Sequence, residues 1–183
     1  MRQWKFDESK FDDLVHYIIW TCPDLDKLGS VKLQKILWKV DTKHYIQKGS
    51  PITGARYQKR PYGPATNELW HSRDRLKTAG KIDFWRDLKF AGDYPKDAYK
   101  ALQPKPSNFL THDQQQIVDH WIRTICLEYT ANQISEETHG YSWDIAEMGE
   151  ELPMEAALVE RGREPDNQEL EEMKKRAREL GLI

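Results

Sequence analysis

The chain has 183 residues, 38% hydrophobic and 32% charged, with a net charge of -2 and a pI near 6.3. That length suits one domain with an appendage and can bury a real core without disulfide or metal staples. Mean hydropathy is low at -0.84, but seven Trp, eight Tyr and five Phe argue against disorder.

The N-terminal MRQWKFDES carries no apolar signal core, and no apolar run approaches the ~20 residues of a membrane helix. A soluble, cytoplasmic protein with no membrane partner is expected. Cys22 and Cys126 sit in HYIIWTC and RTICLEY, apolar surroundings without a CxxC, and read as core thiols. The charge is unevenly spread. Residues 30–89 carry 14 Lys/Arg against 5 Asp/Glu, a net of +9, and residues 135–183 carry a net of -8. Either the two regions neutralise each other or they form a basic and an acidic face for different partners.

In chain order, Asp7 caps a first helix to about Thr21, with Phe11, Leu14, Val15, Ile18 and Ile19 on one face. Pro23-Asp24 ends it. Ser30 is the expected N-cap of a second helix whose inner face holds Leu33, Ile36, Leu37, Val40 and His44. Lys32, Lys35, Lys39 and Lys43 form a basic stripe beside that face, and Gly49 is the stop. Pro51 to Arg60 reads as a short strand, confined by Pro61 and Pro64. Tyr62-Gly63-Pro64 is a rigid corner, serving either connection or contact. A third helix spans about Thr66–Ala79 with Leu69 and Leu76 inward. Lys81–Phe90 reads as a strand, Ala91-Gly92-Asp93 as a turn, and the stretch to Gln103 as a returning strand.

Thr111 begins a long helix to about Asn132, with Ile117, Val118, Trp121, Ile122, Ile125 and Tyr129 on its core face and an expected central position. Ser135 caps a short helix, SEETHGYSW, with Glu136 and Glu137 in the first turn. A final helix follows Pro165-Asp166, with Leu170, Met173, Ala177 and Leu180 on a narrow face. The fold class is α+β, mainly α: a compact helical domain over residues 1–150 with a small antiparallel sheet, then an acidic extension, 151–183, carrying a helix.

Chemical motifs are sparse. The six histidines show no HExxH spacing, so no metal site is expected. GxxxxGK[ST], GxGxxG and GxSxG do not occur, and no cofactor is expected. His71, Ser72 and Asp74 diverge on a helix and make a poor catalytic set. Arg56, Lys59 and Arg60, with Tyr57, Tyr62 and Trp38 between the charges, would suit either phosphates and bases or an acidic protein.

Four stretches together resemble the Panacea, or SocA-like, antitoxin-domain family: Lys32-Leu33-Gln34-Lys35-Ile36-Leu37-Trp38, Tyr62-Gly63-Pro64, Arg75-Leu76 with Gly80-Lys81-Ile82, and Ser135, His139, Trp143. The match runs over about residues 10–150. The basic strand departs from many relatives, and the segment after Glu151 has no clear counterpart. The resemblance implies a bacterial or phage antitoxin without catalytic residues, whose partner is a protein toxin encoded by a neighbouring gene. One branch of the family delivers its toxin to a protease. The expected partner-binding residues are Lys32, Lys35, Lys39, Arg56, Lys59, Arg60, Tyr62, His139 and Trp143. Two alternatives stay open: a nucleic-acid-binding regulator of its own operon, and an enzyme assembled from distant residues such as His139 with Glu136 or Glu137.

Overall fold

The structure, a computed structural model, describes residues 4–87 and 96–158 together with Lys175 and Arg178, which are both helical. The expected Ala91-Gly92-Asp93 turn and the rest of the expected last helix lie outside the described residues. The fold class is as expected, α+β and mainly α, with six α-helices and a two-stranded antiparallel sheet among the described residues.

Helix α1, Glu8–Thr21, is capped by Asp7, whose side chain accepts from the Lys10 backbone N–H. It buries the expected apolar face. Helix α2, Ser30–Lys48, starts one residue earlier in its cap than expected: Gly29 is the N-cap. Ser30 instead turns its hydroxyl to Asp97 and Tyr99, both at 2.5 Å. At the other end Gly49 takes the left-handed conformation, φ 74°, and donates its N–H to Tyr45.

Helix α3, Glu68–Thr78, turns Leu69 and Leu76 inward. Arg75 holds it to α1 with a two-pronged grip on Asp12, both contacts 2.7 Å. Strands β1, Ile82–Asp87, and β2, Lys96–Ala101, pair from Ile82↔Ala101 to Asp87↔Lys96, as the sequence predicts. Arg73 ties this hairpin to α3. Its guanidinium bonds Asp97 at 3.0 Å and lies over the rings of Trp70 and Phe84.

Three expectations about the helices fail. Central position belongs to α2, which packs on α1, α4, α5, β2 and the turn at Met154–Leu158. The long helix from Thr111 ends as α4, His112–Glu128, and does not reach Asn132. Tyr129 is extended, and Thr130 with Gln133 forms a capping box that starts a new helix, α5, Ala131–Glu137. Ser135 therefore lies inside α5 and caps nothing, and Glu136 and Glu137 fall in its last turn. Lys39 offsets the unfavourable position of Glu137 with an ion pair at 3.3 Å. Gly140 precedes a separate short helix, α6, Tyr141–Ile145.

The strand expected over Pro51–Arg60 is also absent. Its first donors are met by one side chain, and those of Gln58 and Lys59 by the carbonyls of Ala65 and Glu150, so no continuous strand pairing forms. The Asp41 carboxylate of α2, fully buried, accepts from Ile52 N–H at 2.8 Å, Thr53 N–H at 2.9 Å, the Thr53 hydroxyl at 2.5 Å and the Tyr57 hydroxyl at 2.9 Å. Burial pushes this carboxyl up, and the bonds from Thr53, Tyr57 and Ile52 pull it back. Only Gln58 makes strand-like bridges, to Ala65 and to Glu151. His44 is the satisfied core residue the sequence suggests, bonded to the Ser50 carbonyl and to Gln114.

Asp41 is thus the organising acceptor for residues 52–57. Asp41→Ala is expected to lower stability by on the order of 4 kcal/mol, since each buried donor left unmet costs roughly 1–3 kcal/mol. Asp41→Asn keeps one carbonyl acceptor and should lose clearly less. Urea unfolding followed by tryptophan fluorescence orders the three proteins. Equal midpoints for wild type and Asp41→Ala would refute this role.

Candidate functional site

Residues Arg60 to Thr66 form a corner whose carbonyls are gripped at every second residue. Trp143 of α6 donates its indole N–H to the Arg60 carbonyl at 3.2 Å. Ser135 of α5 donates to the Tyr62 carbonyl at 3.0 Å. Lys35 of α2 donates to the Pro64 carbonyl at 2.9 Å. Gln34, also of α2, donates to the Thr66 carbonyl at 2.8 Å and accepts from the Thr66 N–H at 2.9 Å. One amide side chain thus closes both backbone groups of a residue, as a paired strand would. Stretches far apart in the sequence, 34–35, 60–66 and 135–143, converge here.

Gly63 makes the corner possible. Its φ is 84°, which side-chain-bearing residues rarely adopt. A Cβ there would lie 2.8 Å from Lys35 Nζ, 2.9 Å from Thr138 Oγ1 and 3.2 Å from His139 Cδ2.

The basic residues divide sharply. Lys32 and Lys35, expected on an exposed stripe, are 5% and 1% exposed. Their helix is surrounded on several sides, so both serve the interior: Lys32 reaches the Cys126 carbonyl at 3.4 Å and Lys35 the corner. Lys39 is half-buried, pairs with Glu137 and lies 5.2 Å from the Trp121 ring. Arg56 is exposed beside Glu151, 3.9 Å away. It borders a smaller groove of about 110 Å³ with Trp4 and Met154, apart from the corner.

Lys59, Arg60, Tyr62, His139 and Trp143 do come together. The His139 and Trp143 rings stack at 3.9 Å with 12° between planes. Lys59 Nζ sits 3.8 Å over the same indole and donates to the Ala146 carbonyl at 3.0 Å. Burial, then the nearby Lys35 charge, holds the His139 imidazole below its ordinary pKa. The His139 backbone N–H donates to the Glu136 carbonyl at 3.0 Å, but its ring Nε2 has no partner among the described residues. Arg60 is exposed and bonds the neutral oxygens of Gln58 and Asn67, at 2.7 and 3.3 Å. Lys59 and Arg60 form no ion pair among the described residues, whereas Arg73 and Arg75 both do.

A groove of about 360 Å³ opens beside the corner, lined among others by Val31, Lys35, Arg60, Tyr62, Asn67 and Trp70. Tyr62 is 65% exposed and Trp70 40%. Trp70, Asn67 and the clamp residue Gln34 were not among the expected site residues. Trp70 lies next to Leu69 on α3, and a large aromatic outside that helix's buried face was the available signal. Among the described residues no helix is long and apolar enough to cross a membrane.

A family model described as antitoxin SocA-like, Panacea domain, matches residues 33–144. That span contains the Gln34–Lys35 clamp, the corner, Ser135, His139 and Trp143. No curated protein and no solved structure matches the chain.

Burial draws the Lys35 ammonium down to about 7, from an ordinary 10.5. Between these values the unfolded chain holds a proton that the folded chain has released, so stability rises with pH over this window. Below about 7 both states are protonated and the contribution is flat. Relative to Lys35→Met, the wild type should therefore gain stability as pH rises from about 7 to about 10. Denaturation midpoints across that range provide the measurement, and parallel profiles for the two proteins would contradict the burial of an ionisable Lys35.

Proposed function

Since this chain belongs to the antitoxin SocA-like, Panacea-domain family, we propose that it binds and neutralises a protein toxin encoded by a neighbouring gene, and that the Tyr62 corner makes the contact. The observation that carries this reading is the clamp on Arg60–Thr66. Four side chains from three helices fix the backbone of a loop whose Tyr62 ring stands in solvent. A surface ordered before binding loses less conformational entropy when it meets a partner. Tyr, Trp and Arg are also the side chains that most often dominate protein interfaces.

The contact surface consists of Lys59, Arg60 and Tyr62, with Trp70 across the groove and the His139–Trp143 stack behind. Lys39 flanks it through Glu137 and Lys35 supports it from within, while Arg56 and Lys32 lie apart from it. The partner face is acidic, because Lys59 and Arg60 present charge without carboxylates among the described residues. Burial of Lys32 and Lys35 takes two cations away from any phosphate backbone, which favours a protein partner over nucleic acid. The protein acts in the cytoplasm as a binding protein, by occluding the toxin directly or by presenting it to a protease.

Co-expression with the neighbouring gene product tests the reading. The wild type should restore growth, and Tyr62→Ala and Arg60→Glu should each weaken toxin binding by about 30-fold or more while circular dichroism and Tm stay unchanged. Protection that persists in a protease-deficient host identifies direct occlusion. A neighbouring product that is harmless alone, or that stays toxic beside the wild type, would defeat the antitoxin reading. Corner variants that protect as well as the wild type would move the contact elsewhere.

A further inference from the structure

We propose that Cys22 and Cys126 form a reversible disulfide clasp between the C-terminal end of α1 and the last turn of α4, making the protein responsive to peroxide. Their Sγ atoms lie 2.9 Å apart in the interior, although 104 residues separate them in the chain. Both are free thiols. A disulfide spans about 2.05 Å, so bond formation asks for a closing movement of about 0.9 Å.

The two thiols are not equivalent. Cys22 is the C-cap residue of α1 and retains 8% exposure, while Cys126 is fully buried. Cys22 also contacts the Asp24 carbonyl at 3.4 Å. The hydrogen bond with Cys126 lowers the Cys22 pKa and raises that of Cys126, and the charge of Lys32 favours thiolate at both. Lys32 is itself fixed beside the pair by its bond to the Cys126 carbonyl. Geometry and exposure thus assign Cys22 as the sulfur that meets the oxidant and Cys126 as the one that resolves it.

The chemistry needs one equivalent of hydrogen peroxide. The Cys22 thiolate attacks one peroxide oxygen, the O–O bond breaks, and the leaving hydroxide takes up a proton to give water, leaving Cys22 as a sulfenic acid. The Cys126 sulfur then attacks the Cys22 sulfur. The S–O bond breaks, the hydroxide departs as water with the Cys126 proton, and the S–S bond forms. Two thiols are oxidised by two electrons and one peroxide is reduced to two waters. A dithiol reverses the step by exchange.

The clasp would join α1 to α4 three residues before the chain turns at Tyr129 into α5, the helix that holds the Tyr62 carbonyl through Ser135. It would also close a long loop, which restricts the unfolded chain.

The test uses the full reduced chain and hydrogen peroxide as the probe. After denaturing alkylation and digestion, mass spectrometry should find the Cys22 and Cys126 peptides linked, with the loss of two hydrogens, and dithiothreitol should release them. The oxidised wild type should melt several degrees higher than the reduced form, with no such shift in peroxide-treated Cys22→Ser. In Cys126→Ser, dimedone should label Cys22. Full alkylation of both cysteines after peroxide would overturn the proposal. So would linkage only between separate molecules, or conversion of Cys22 to sulfinic acid without the internal link. The peptide map of the wild type decides the matter even if a variant fails to fold.

Discussion

Six polar side chains of α2 are buried in this fold, Lys32, Gln34, Lys35, Asp41, Thr42 and His44, and each has to be met there, because a buried polar group without a partner is costly. Gln34 and Lys35 meet the backbone at Pro64 and Thr66, and Asp41 meets it at Ile52 and Thr53. The requirement runs both ways. Residues 51–66 contain little regular structure, so their own N–H and C=O groups need partners from elsewhere. One helix supplies several of them in both halves of the segment, and Ser135 and Trp143 supply others. The packing of α1, α4, α5 and β2 around α2 keeps it enclosed enough for these bonds to be worth forming.

This arrangement explains which parts of the molecule were legible in the sequence. Helix α1 was announced by its apolar spacing and Asp7 cap, although its second half, Leu14 to Ile19, is buried all round. The hairpin, Gly49 and the inner face of α3 were readable for similarly local reasons. Helix α2 is covered on several sides, and periodicity says little about such a helix. Its lysines looked like a solvated stripe because lysine is rarely buried, yet two of them lie inside, where their long stems pack and their amines find carbonyls. The strand expected before the corner failed because a carboxylate eleven residues upstream, not a neighbouring strand, satisfies Ile52. The break between α4 and α5 had a sequence signal: Thr130 followed by Gln133 is a capping box, as is Thr111 with Gln114.

The candidate site was legible in composition more than in place. Lys59, Arg60, Tyr62, His139 and Trp143 do gather at one corner, although the last two come from a different part of the chain. Nothing in spacing alone could bring residues 139–143 onto residue 60. The family resemblance grouped stretches that the structure brings into contact, where they hold one another's backbone. The charge asymmetry also gains a finer meaning. Most cations of residues 30–89 with resolved ion pairs find carboxylates elsewhere in the fold, as Arg73, Arg75 and Lys48 do. Among the described residues, Lys59 and Arg60 at the corner, like the exposed Lys43, carry charge outside these ion pairs.

Because the clamp takes hold of carbonyl oxygens, it is indifferent to the side chains of the residues it holds. Every amino acid offers the same oxygen at positions 60 and 62, and the exposed neighbour Asn67 bears on the clamp only through its contact with Arg60. Replacement of Arg60 or Tyr62 would redraw the exposed face while leaving the loop beneath it in the same shape. Gly63 and the gripping residues Gln34, Lys35, Ser135 and Trp143 have no such latitude. The molecule thus separates a fixed frame from an exchangeable face, and selection can rewrite one without having to re-solve the folding of the other.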